Sequence, residues 1–168
     1  VSITSFIYND IRRRKNMEML RQLSYFDSLT NAYNRNAYFS ELERLEEEGK
    51  GTLGIAYIDV NGLKRVNDTQ GHKAGDRLIV SVADKLFRYL PGGKVYRTGG
   101  DEFIVFCKDI SESEFQTMIE HLQSSWDEQS SAAIGYIWMD KIEQVESKVS
   151  AAEKMMYIGK RKFYERRG

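Results

Sequence analysis

The stretch "RTGGDEFIVF", residues 97–106, joins two apolar segments through two glycines and two acidic residues. Alternating segments on either side of a glycine pair are typical of a β-hairpin. We expect Gly99 and Gly100 to adopt positive φ and to leave room for a ligand. Asp101 and Glu102 would then lie at the hairpin tip. Glycine pairs are common in turns, so an ordinary hairpin with exposed acids explains this stretch equally well by itself.

A second acidic position lies upstream, where the apolar run "TLGIAYIDV", residues 52–60, predicts a buried strand that ends near Asp59. A carboxylate there is costly to desolvate without a partner. If this strand and the hairpin share a sheet, Asp59, Asp101 and Glu102 converge at one edge. Carboxylates that repel one another favour a divalent cation, and oxygen ligands favour Mg²⁺ or Mn²⁺. Such a site, completed by phosphate oxygens, is typical of phosphoryl or nucleotidyl transfer.

The segment "DVNGLKRVNDTQGHKAGD", residues 59–76, is rich in turn-forming residues, and we expect it to contain a short helical turn. Lys64 could contact a phosphate as a point charge. Asn67 and Asp76 are candidates for base recognition, because a carboxylate can accept both N1–H and N2–H₂ of guanine. Asp76 could equally cap the helix that follows. We interpret His72 as a residue that fixes the loop by hydrogen bonding.

The last helix ends in the basic stretch "GKRKFYERR", residues 159–167. Cations at a helix C-terminus usually complement the helix dipole in solvent, and we assign most of these residues to that role. Lys160 alone is kept as a candidate contact to a triphosphate.

The order of predicted elements is helix, strand, helix, hairpin, helix, strand, helix. This order favours an α+β fold with a βαββαβ central sheet and flanking helices. We expect amphipathic helices over about 34–48, 74–90 and 145–167, and another that begins with a capping box from Ser111 to Glu114. At the N-terminus, Val1, Ile3 and Ile7 indicate strand alternation ahead of a helix from Asp10.

The composition narrows the functional classes. The 168 residues include 25 Lys and Arg and 25 Asp and Glu, and a net charge of zero argues against a nucleic-acid binder. The single cysteine, Cys107, lies in an apolar run and predicts a reduced core thiol in a reducing compartment. The sequence has no apolar stretch long enough to span a membrane, so we expect a cytoplasmic fragment with no membrane contact. Because it begins at Val1, we expect it to come from a longer protein that could itself be membrane-anchored.

Three separated motifs, "DSLTNAYNR" at 27–35, residues 59–76 and "RTGGDEF" at 97–103, resemble the GGDEF-domain diguanylate cyclases of bacteria. The resemblance runs from about Asp27 to Tyr164. It implies a palm-like βαββαβ fold related to adenylyl cyclases and polymerases. It also implies the condensation of two GTP into cyclic di-GMP and two pyrophosphates, across a homodimer in which each subunit holds one GTP, with two Mg²⁺ or Mn²⁺ ions per active site.

The resemblance also implies roles for individual residues. The metal ligands are Asp59, the Val60 carbonyl, Asp101 and Glu102. The catalytic group, which includes the acids that activate the 3′-hydroxyl, comprises Asp101, Glu102 and Lys64. The substrate-binding positions are Asn67 and Asp76 for guanine, His72 between them, Lys64 and Lys160 for phosphates, and Gly99 and Gly100 for close approach of the nucleotide.

The chain departs from the family pattern at several positions. The Arg-x-x-Asp product-inhibition site of many members aligns with "LPGG", residues 90–93, which has neither residue, so we expect no feedback inhibition through that site. Gly62 replaces a large apolar or aromatic residue. Phe163 and Tyr164 replace the usual "GR", which removes one expected phosphate contact. The retained Asp76 favours GTP at both sites of the product.

The stretch "IYNDIRRRKNMEMLRQLSYFDSLT", residues 7–30, resembles the end of a PAS-type sensor followed by a linker helix. We therefore expect a linker or signalling helix over residues 1–25 and the catalytic domain over residues 26–168, with a sensor domain upstream in the full-length protein. Two alternatives remain: a catalytically silent GTP-binding regulatory module, and a cyclase acting on ATP. The intact signature acids argue against the first and Asn67 with Asp76 against the second.

Overall fold

A four-stranded antiparallel sheet, in the order β2-β3-β1-β4, forms the centre of the computed structural model, which describes residues 3–165. The strand and helix order confirms the predicted α+β fold with its βαββαβ core. The elements are α1 (Ile3–Tyr25), α2 (Arg35–Glu48), β1 (Leu53–Val60), α3 (Leu63–Gln70), α4 (His72–Tyr89), β2 (Lys94–Arg97), β3 (Glu102–Lys108), α5 (Glu112–Ser124), β4 (Ala132–Met139) and α6 (Val145–Glu165).

Strand β1 is buried along its whole length, because helices cover both faces of the sheet. Successive side chains of a strand point to opposite faces. Ala56, Ile58 and Val60 accordingly join the core cluster that contains residues of α4 and α5. Ile55 and Tyr57 join the cluster on the α2 and α6 side. By this alternation Asp59 faces α6.

Helix α6 lies directly against the sheet at Gly135, on β4. A Cβ atom at this position would overlap the carbonyl oxygen of Ala152 and the amide nitrogen of Met156. Only glycine therefore allows the helix backbone to come this close. Lys160 follows Met156 by about one helical turn, so this contact places Lys160 near the edge where β1 ends.

The start of the chain differs from the sequence-based expectation. Residues 3–7, predicted to begin with strand alternation, belong to the continuous helix α1, and Val1 lies outside the described residues. Ile3 and Ile7 are also spaced by one helical turn, and the described sheet pairs no strand with this segment. No side chain of α1 is buried.

The loop after β1 is also more helical than predicted. It contains the two-turn helix α3, and α4 begins at His72 rather than near residue 74. The capping box from Ser111 to Glu114 is confirmed at the start of α5.

The structure confirms that Cys107 is a free thiol in the core, where it is 3% exposed. Burial raises the pKa of its thiol to about 12, so the group stays protonated at neutral pH. Among residues 3–165, no helix is both long and apolar enough to cross a membrane.

Candidate active site

The end of β1 and the tip of the β2–β3 hairpin meet at one edge of the sheet. Asp59 on β1 lies opposite Glu102 on β3 in the antiparallel register. The backbone N–H of Val60 donates to the carbonyl oxygen of Asp101 at 2.9 Å, which continues the pairing past the end of β3. The three acidic residues singled out in the sequence are therefore gathered at the same edge.

The buried carboxylate of Asp59 is paired with a lysine from α6. Asp59 is 5% exposed, and the Lys160 ammonium donates to its Oδ1 at 2.6 Å. Burial raises the pKa of Asp59 above its usual range, and the hydrogen bond from Lys160 offsets only part of this rise. The charges of Asp101 and Glu102 raise the pKa further. The site thus carries more negative charge than one lysine neutralises.

Lys160 remains a cation in this setting. Burial lowers the pKa of the ammonium, but the hydrogen bond and charge of Asp59 outweigh it, so the pKa lies above its usual range. The negative charge of Asp101 acts in the same direction.

Asp59, Glu102 and Lys160 line one cavity of about 590 Å³, whose remaining wall is formed by α6. The Tyr57 hydroxyl donates to Oε1 of Glu102 at 3.3 Å. The charged groups that line the cavity are three carboxylates, those of Asp59, Glu102 and Glu153, and two ammonium groups, those of Lys154 and Lys160, beside apolar side chains of α6. A cation or a phosphate group in this cavity would therefore lie beside side chains of opposite charge.

The structure contradicts one of the two reasons expected for the glycine pair of the hairpin. Neither Gly99 nor Gly100 adopts positive φ, so the predicted conformational reason was wrong. A Cβ on Gly99 would come within 2.6 Å of Oε2 of Glu102, whereas a Cβ on Gly100 would meet nothing within 4 Å. Gly99 therefore makes space for the Glu102 carboxylate, and Gly100 leaves the outer side of the turn open.

The donor set fits a hard divalent cation that shares its ligands with a substrate. Among residues 3–165, no three His, Cys, Asp or Glu side chains are arranged to hold a metal ion on their own. Burial is the main reason that the pKa of Asp59 is raised, and the charges of Asp101 and Glu102 raise it further, so the site has negative charge that a bound cation would offset. Mg²⁺ is commonly bound by one or two carboxylates together with phosphate oxygens and water, which agrees with this partial site.

The candidate guanine-reading residues lie on two packed helices. The Asn67 side chain on α3 lies over Gly75 on α4, since a Cβ there would overlap Asn67 Oδ1. Asn67 is thereby held next to the residue that precedes Asp76. Asp76 is exposed and is the fifth residue of α4, whose N-cap position is Gly71. The alternative that Asp76 caps this helix is therefore wrong.

His72 is the first residue of α4 and is exposed. Across the part of the chain that the structure describes, its side chain makes no hydrogen bond that would fix the loop. That expectation is not met, because the helix begins earlier than predicted and Gly71, rather than His72, makes the turn between α3 and α4.

Two positions at which the chain departs from the family pattern contact each other. The backbone N–H of Gly62 donates to the Tyr164 hydroxyl at 3.2 Å. Both residues, with Lys64 and Arg65, line a cavity of about 670 Å³. Lys64 and Lys160, the two candidate phosphate contacts, therefore line different cavities.

The sequence did not reveal an ion pair that ties the hairpin to the segment after α1. Nη1 of Arg97 lies 3.1 and 3.2 Å from the two carboxylate oxygens of Asp27, and Nη2 donates to the Gly100 carbonyl at 2.8 Å. Asp27 Oδ2 also accepts from the backbone N–H and the hydroxyl of Thr30. The Asp-x-x-Thr spacing was a signal of local capping, but nothing in it indicated a partner 70 residues away.

Comparison with known proteins gives one family for most of the chain. The family model described as "Diguanylate cyclase, GGDEF domain" matches residues 24–166. Diguanylate cyclase DgcN of Escherichia coli is 37% identical over 114 residues, which cover 64% of this chain and 27% of that protein. Cyclic di-GMP phosphodiesterase PdeR of Escherichia coli is 33% identical over 111 residues, covering 65% of this chain and 17% of that protein.

An uncharacterised membrane protein of Staphylococcus saprophyticus is 27% identical over 153 residues, covering 83% of this chain and 43% of that protein. The chain thus spans less than half the length of each of these three relatives.

Solved structures share the fold. The coiled coil and GGDEF domain of DgcB from Caulobacter crescentus, in complex with c-di-GMP, superimposes with a TM-score of 0.80 at 27% identity, covering 95% of this chain and 92% of that one. The GGDEF domain of FimX from Pseudomonas aeruginosa superimposes with a TM-score of 0.75 at 19% identity, covering 83% and 95% of the two chains. At 19% identity, the match to FimX supports only the shared fold.

Proposed function

Because the chain belongs to the diguanylate cyclase GGDEF-domain family, we propose that it condenses two GTP molecules into cyclic di-GMP and releases two pyrophosphates. The observation that carries this proposal is the cluster of Asp59, Glu102 and Lys160 around one cavity at the end of β1. It combines carboxylates for cations with an ammonium for phosphate oxygens.

The residues that would hold the cations are the Asp59, Asp101 and Glu102 carboxylates and the Val60 carbonyl. Two bound Mg²⁺ or Mn²⁺ ions would lower the pKa of the attacking 3′-hydroxyl and neutralise charge on the leaving pyrophosphate. Lys160 and Lys64, which line different cavities, would each contact phosphate oxygens. When phosphates bind, the Lys160 ammonium gains anionic partners other than Asp59.

In each half of the reaction, the O3′ of one GTP forms a bond to the α-phosphorus of the other, and the bond from that phosphorus to the bridging oxygen breaks. The 3′-hydroxyl proton passes to a signature carboxylate, Asp101 or Glu102, and the electron pair of the broken bond leaves with pyrophosphate. Two such steps close the ring. Because each subunit would present one GTP, a homodimer is needed for turnover.

Substrate choice is assigned to Asn67 and Asp76. The Asp76 carboxylate is exposed and can accept both donors on the guanine edge, while the Asn67 amide next to it can donate and accept. The opposite polarity of adenine at position 6 disfavours ATP. Gly99 and Gly100 keep the hairpin turn free of side chains on the nucleotide side, and His72 borders the guanine-reading positions at the start of α4.

Activation is assigned to the N-terminal helix. We assign residues 1–25 to a linker and residues 26–168 to the catalytic domain, with a sensor upstream. Apolar side chains such as Phe6, Leu20 and Leu23 are 70%, 66% and 72% exposed on α1, as suits a helix that pairs in a dimer. The related DgcB structure likewise joins a coiled coil to its GGDEF domain.

Product feedback is not expected through the family's Arg-x-x-Asp site. Leu90 is 1% exposed and apolar, and Gly93 has no side chain, so this segment offers neither the cation nor the carboxylate of that site. Added cyclic di-GMP should therefore leave the initial rate unchanged at concentrations that inhibit members with the motif.

A second candidate is a silent GTP-binding module that regulates another domain. The observation in its favour is that one relative is named as a cyclic di-GMP phosphodiesterase, so a similar sequence occurs in a protein named for the opposite activity. In this chain both signature acids are intact, which favours the cyclase.

The deciding experiment is incubation of the chain, fused to a dimeric coiled coil, with GTP and Mg²⁺ or Mn²⁺, followed by mass analysis of the products. Cyclic di-GMP and pyrophosphate in a 1:2 ratio are expected, and Asp101→Ala should abolish both. GTP binding without product in the enforced dimer would instead establish the silent module.

A further inference from the structure

The Glu102 carboxylate is held from two sides, and one of them is a tyrosine that no family motif assigns. Tyr57 precedes Asp59 by two residues on β1, so both side chains face α6. Tyr57 is 7% exposed, and its hydroxyl donates to Oε1 of Glu102 at 3.3 Å. On the other side, a Cβ at Gly99 would come within 2.6 Å of Oε2. The carboxylate therefore lies between a phenol and a backbone that carries no side chain.

Glu102 also lines two cavities. It lines the cavity of about 590 Å³ with Asp59 and Lys160, and it lines a smaller one of about 230 Å³ with Tyr57 and Arg35. A glutamate side chain has three rotatable torsions, and each cavity offers its carboxylate a place. The position it takes decides whether it acts together with Asp59.

Electrostatics alone would not keep Glu102 beside Asp59. The two carboxylates repel one another, and the smaller cavity contains the Arg35 cation as an alternative partner. Glu146 and Glu153 also line that cavity and would repel Glu102 there, so charge alone does not fix one position for its carboxylate. A hydrogen bond from a neutral donor fixes the orientation of the carboxylate without adding charge to the site.

The hydroxyl of Tyr57 is suited to that task. A tyrosine hydroxyl ordinarily carries its proton at neutral pH, and this one is buried with Glu102 Oε1 as its acceptor at 3.3 Å. Carboxylates that bind metals are commonly oriented by a hydrogen bond from a residue behind them.

We propose that Tyr57 is a positioning residue that, from the side of the smaller cavity, fixes the Glu102 carboxylate opposite Asp59, and so sets both cation affinity and turnover. The proposal rests on the proposed cyclase function for its turnover part only. Tyr57 contacts Glu102 and is not itself assigned a contact to substrate or cation.

The test compares Tyr57→Phe with Tyr38→Phe in the full chain fused to a dimeric coiled coil. Tyr38 is equally buried, at 7%, in the same core cluster and lines the same small cavity, so it controls for loss of a buried hydroxyl. Tyr57→Phe should weaken Mn²⁺ binding, measured calorimetrically with the unreactive 3′-deoxy-GTP present, by about 10-fold, the lower end of what such orienting residues contribute. It should lower kcat by about 10-fold with KM for GTP changed less than 2-fold. Tyr38→Phe should change neither.

A double-mutant cycle separates positioning from packing. In a Glu102→Ala background, Tyr57→Phe should have no further effect on Mn²⁺ affinity, because the carboxylate it positions is gone. Additive losses in this cycle, or wild-type Mn²⁺ affinity in Tyr57→Phe, would overturn the proposal. If the wild type makes no cyclic di-GMP, the proposed function fails while the Mn²⁺ measurements still decide the role of Tyr57. If the wild type binds no Mn²⁺ with the analogue present, both fail.

Discussion

The Lys160 ammonium lies 2.6 Å from Oδ1 of Asp59 and joins the last helix to the end of the central strand. The two residues are 101 positions apart in sequence, and Gly135 permits the close helix packing that brings them together. Lys160 thus supplies part of the positive charge that this acidic edge requires when no cation or phosphate is bound.

Replacing Lys160 with Met should destabilise the fold, because Asp59 would then remain buried without its partner. We expect a loss of about 2 kcal/mol in the free energy of unfolding, within the range for a hydrogen bond to a charged group. The measurement is urea unfolding in EDTA. Added Mg²⁺ should recover more stability in the variant than in the wild type, since it can replace the missing charge.

Lys162→Met is the matched control, because Lys162 is exposed on the same helix. It should unfold within about 0.5 kcal/mol of the wild type, as is usual for surface substitutions. If Lys160→Met is as stable as this control in EDTA, the ion pair contributes nothing to the fold and the account of the acidic edge is wrong.

The Asp27–Arg97 ion pair should make stability depend on pH. Burial opposes ionisation of Asp27, but hydrogen bonds from Thr30 and the charge of Arg97 outweigh it, so its pKa lies below the usual 3.8. A depressed pKa stabilises the folded state above the unfolded pKa, and this contribution is lost as the pH falls through the folded value. Asp27→Asn should therefore cost about 1–2 kcal/mol at pH 7.

The difference between wild type and Asp27→Asn should narrow below about pH 4, as the wild-type carboxylate takes up a proton. Urea unfolding at pH 7, 5 and 3 measures it, with Asp68→Asn, at an exposed position of α3, as the control. A constant difference at all three pH values would show that the hydrogen bonds alone, and not the charge, stabilise this segment.

Much of the fold was predictable because its signals are local. The apolar run ending at Asp59 and the glycine pair before Asp101 each indicate a strand and a turn through neighbouring residues. Their meeting at one edge follows once both belong to one sheet. The conformation of Gly99 was mispredicted because its requirement comes from the Glu102 side chain rather than from its own backbone.

Contacts between distant residues were not predictable in the same way. The pairing of Tyr57 with Glu102 depends on strand register, and that of Arg97 with Asp27 on where the segment after α1 lies against β2. Both Tyr57 and Arg97 look like ordinary strand residues in the sequence. Residues 3–7 were wrongly predicted to show strand alternation. Ile3 and Ile7 are four residues apart, a spacing that also suits a helix, and the described sheet offers this segment no partner strand.

Asp76→Ala should separate guanine recognition from folding. Asp76 is exposed on α4, so the free energy of unfolding should change by less than about 0.5 kcal/mol. Loss of the acceptor for N1–H and N2–H₂ should raise KM for GTP by about 10-fold or more and reduce the preference for GTP over ATP, as expected when a bidentate contact worth about 1–3 kcal/mol is removed. Steady-state kinetics with both nucleotides measures this.

The control for this prediction is Asp84→Ala, also exposed on α4, two turns further along. It should retain wild-type KM and wild-type selectivity. If Asp76→Ala keeps its preference for GTP, guanine is read elsewhere, and the assignment of Asp76 must be abandoned even if the chain remains a cyclase.

Alanine substitutions at two glycines test the packing of α6 on the sheet, and we expect them to have opposite effects on stability. A Cβ at Gly135 would overlap the backbone of α6, so Gly135→Ala should force the helix away and destabilise the fold by about 1–3 kcal/mol, as overpacking does. Gly159, within α6, has only the Ile134 carbonyl at 4.0 Å from its would-be Cβ. Gly159→Ala should stabilise the fold by about 1 kcal/mol through helix propensity.

Because Lys160 is carried by α6, the same displacement should also weaken its ion pair with Asp59. The destabilisation by Gly135→Ala should therefore be smaller in a Lys160→Met background than in the wild type, by about 0.5 kcal/mol or more, which is the coupling expected of residues that share one contact. Urea unfolding of the wild type, the two single variants and the double variant measures this coupling. Strict additivity would mean that the helix moves at Gly135 without moving Lys160, and that the glycine does not position the site.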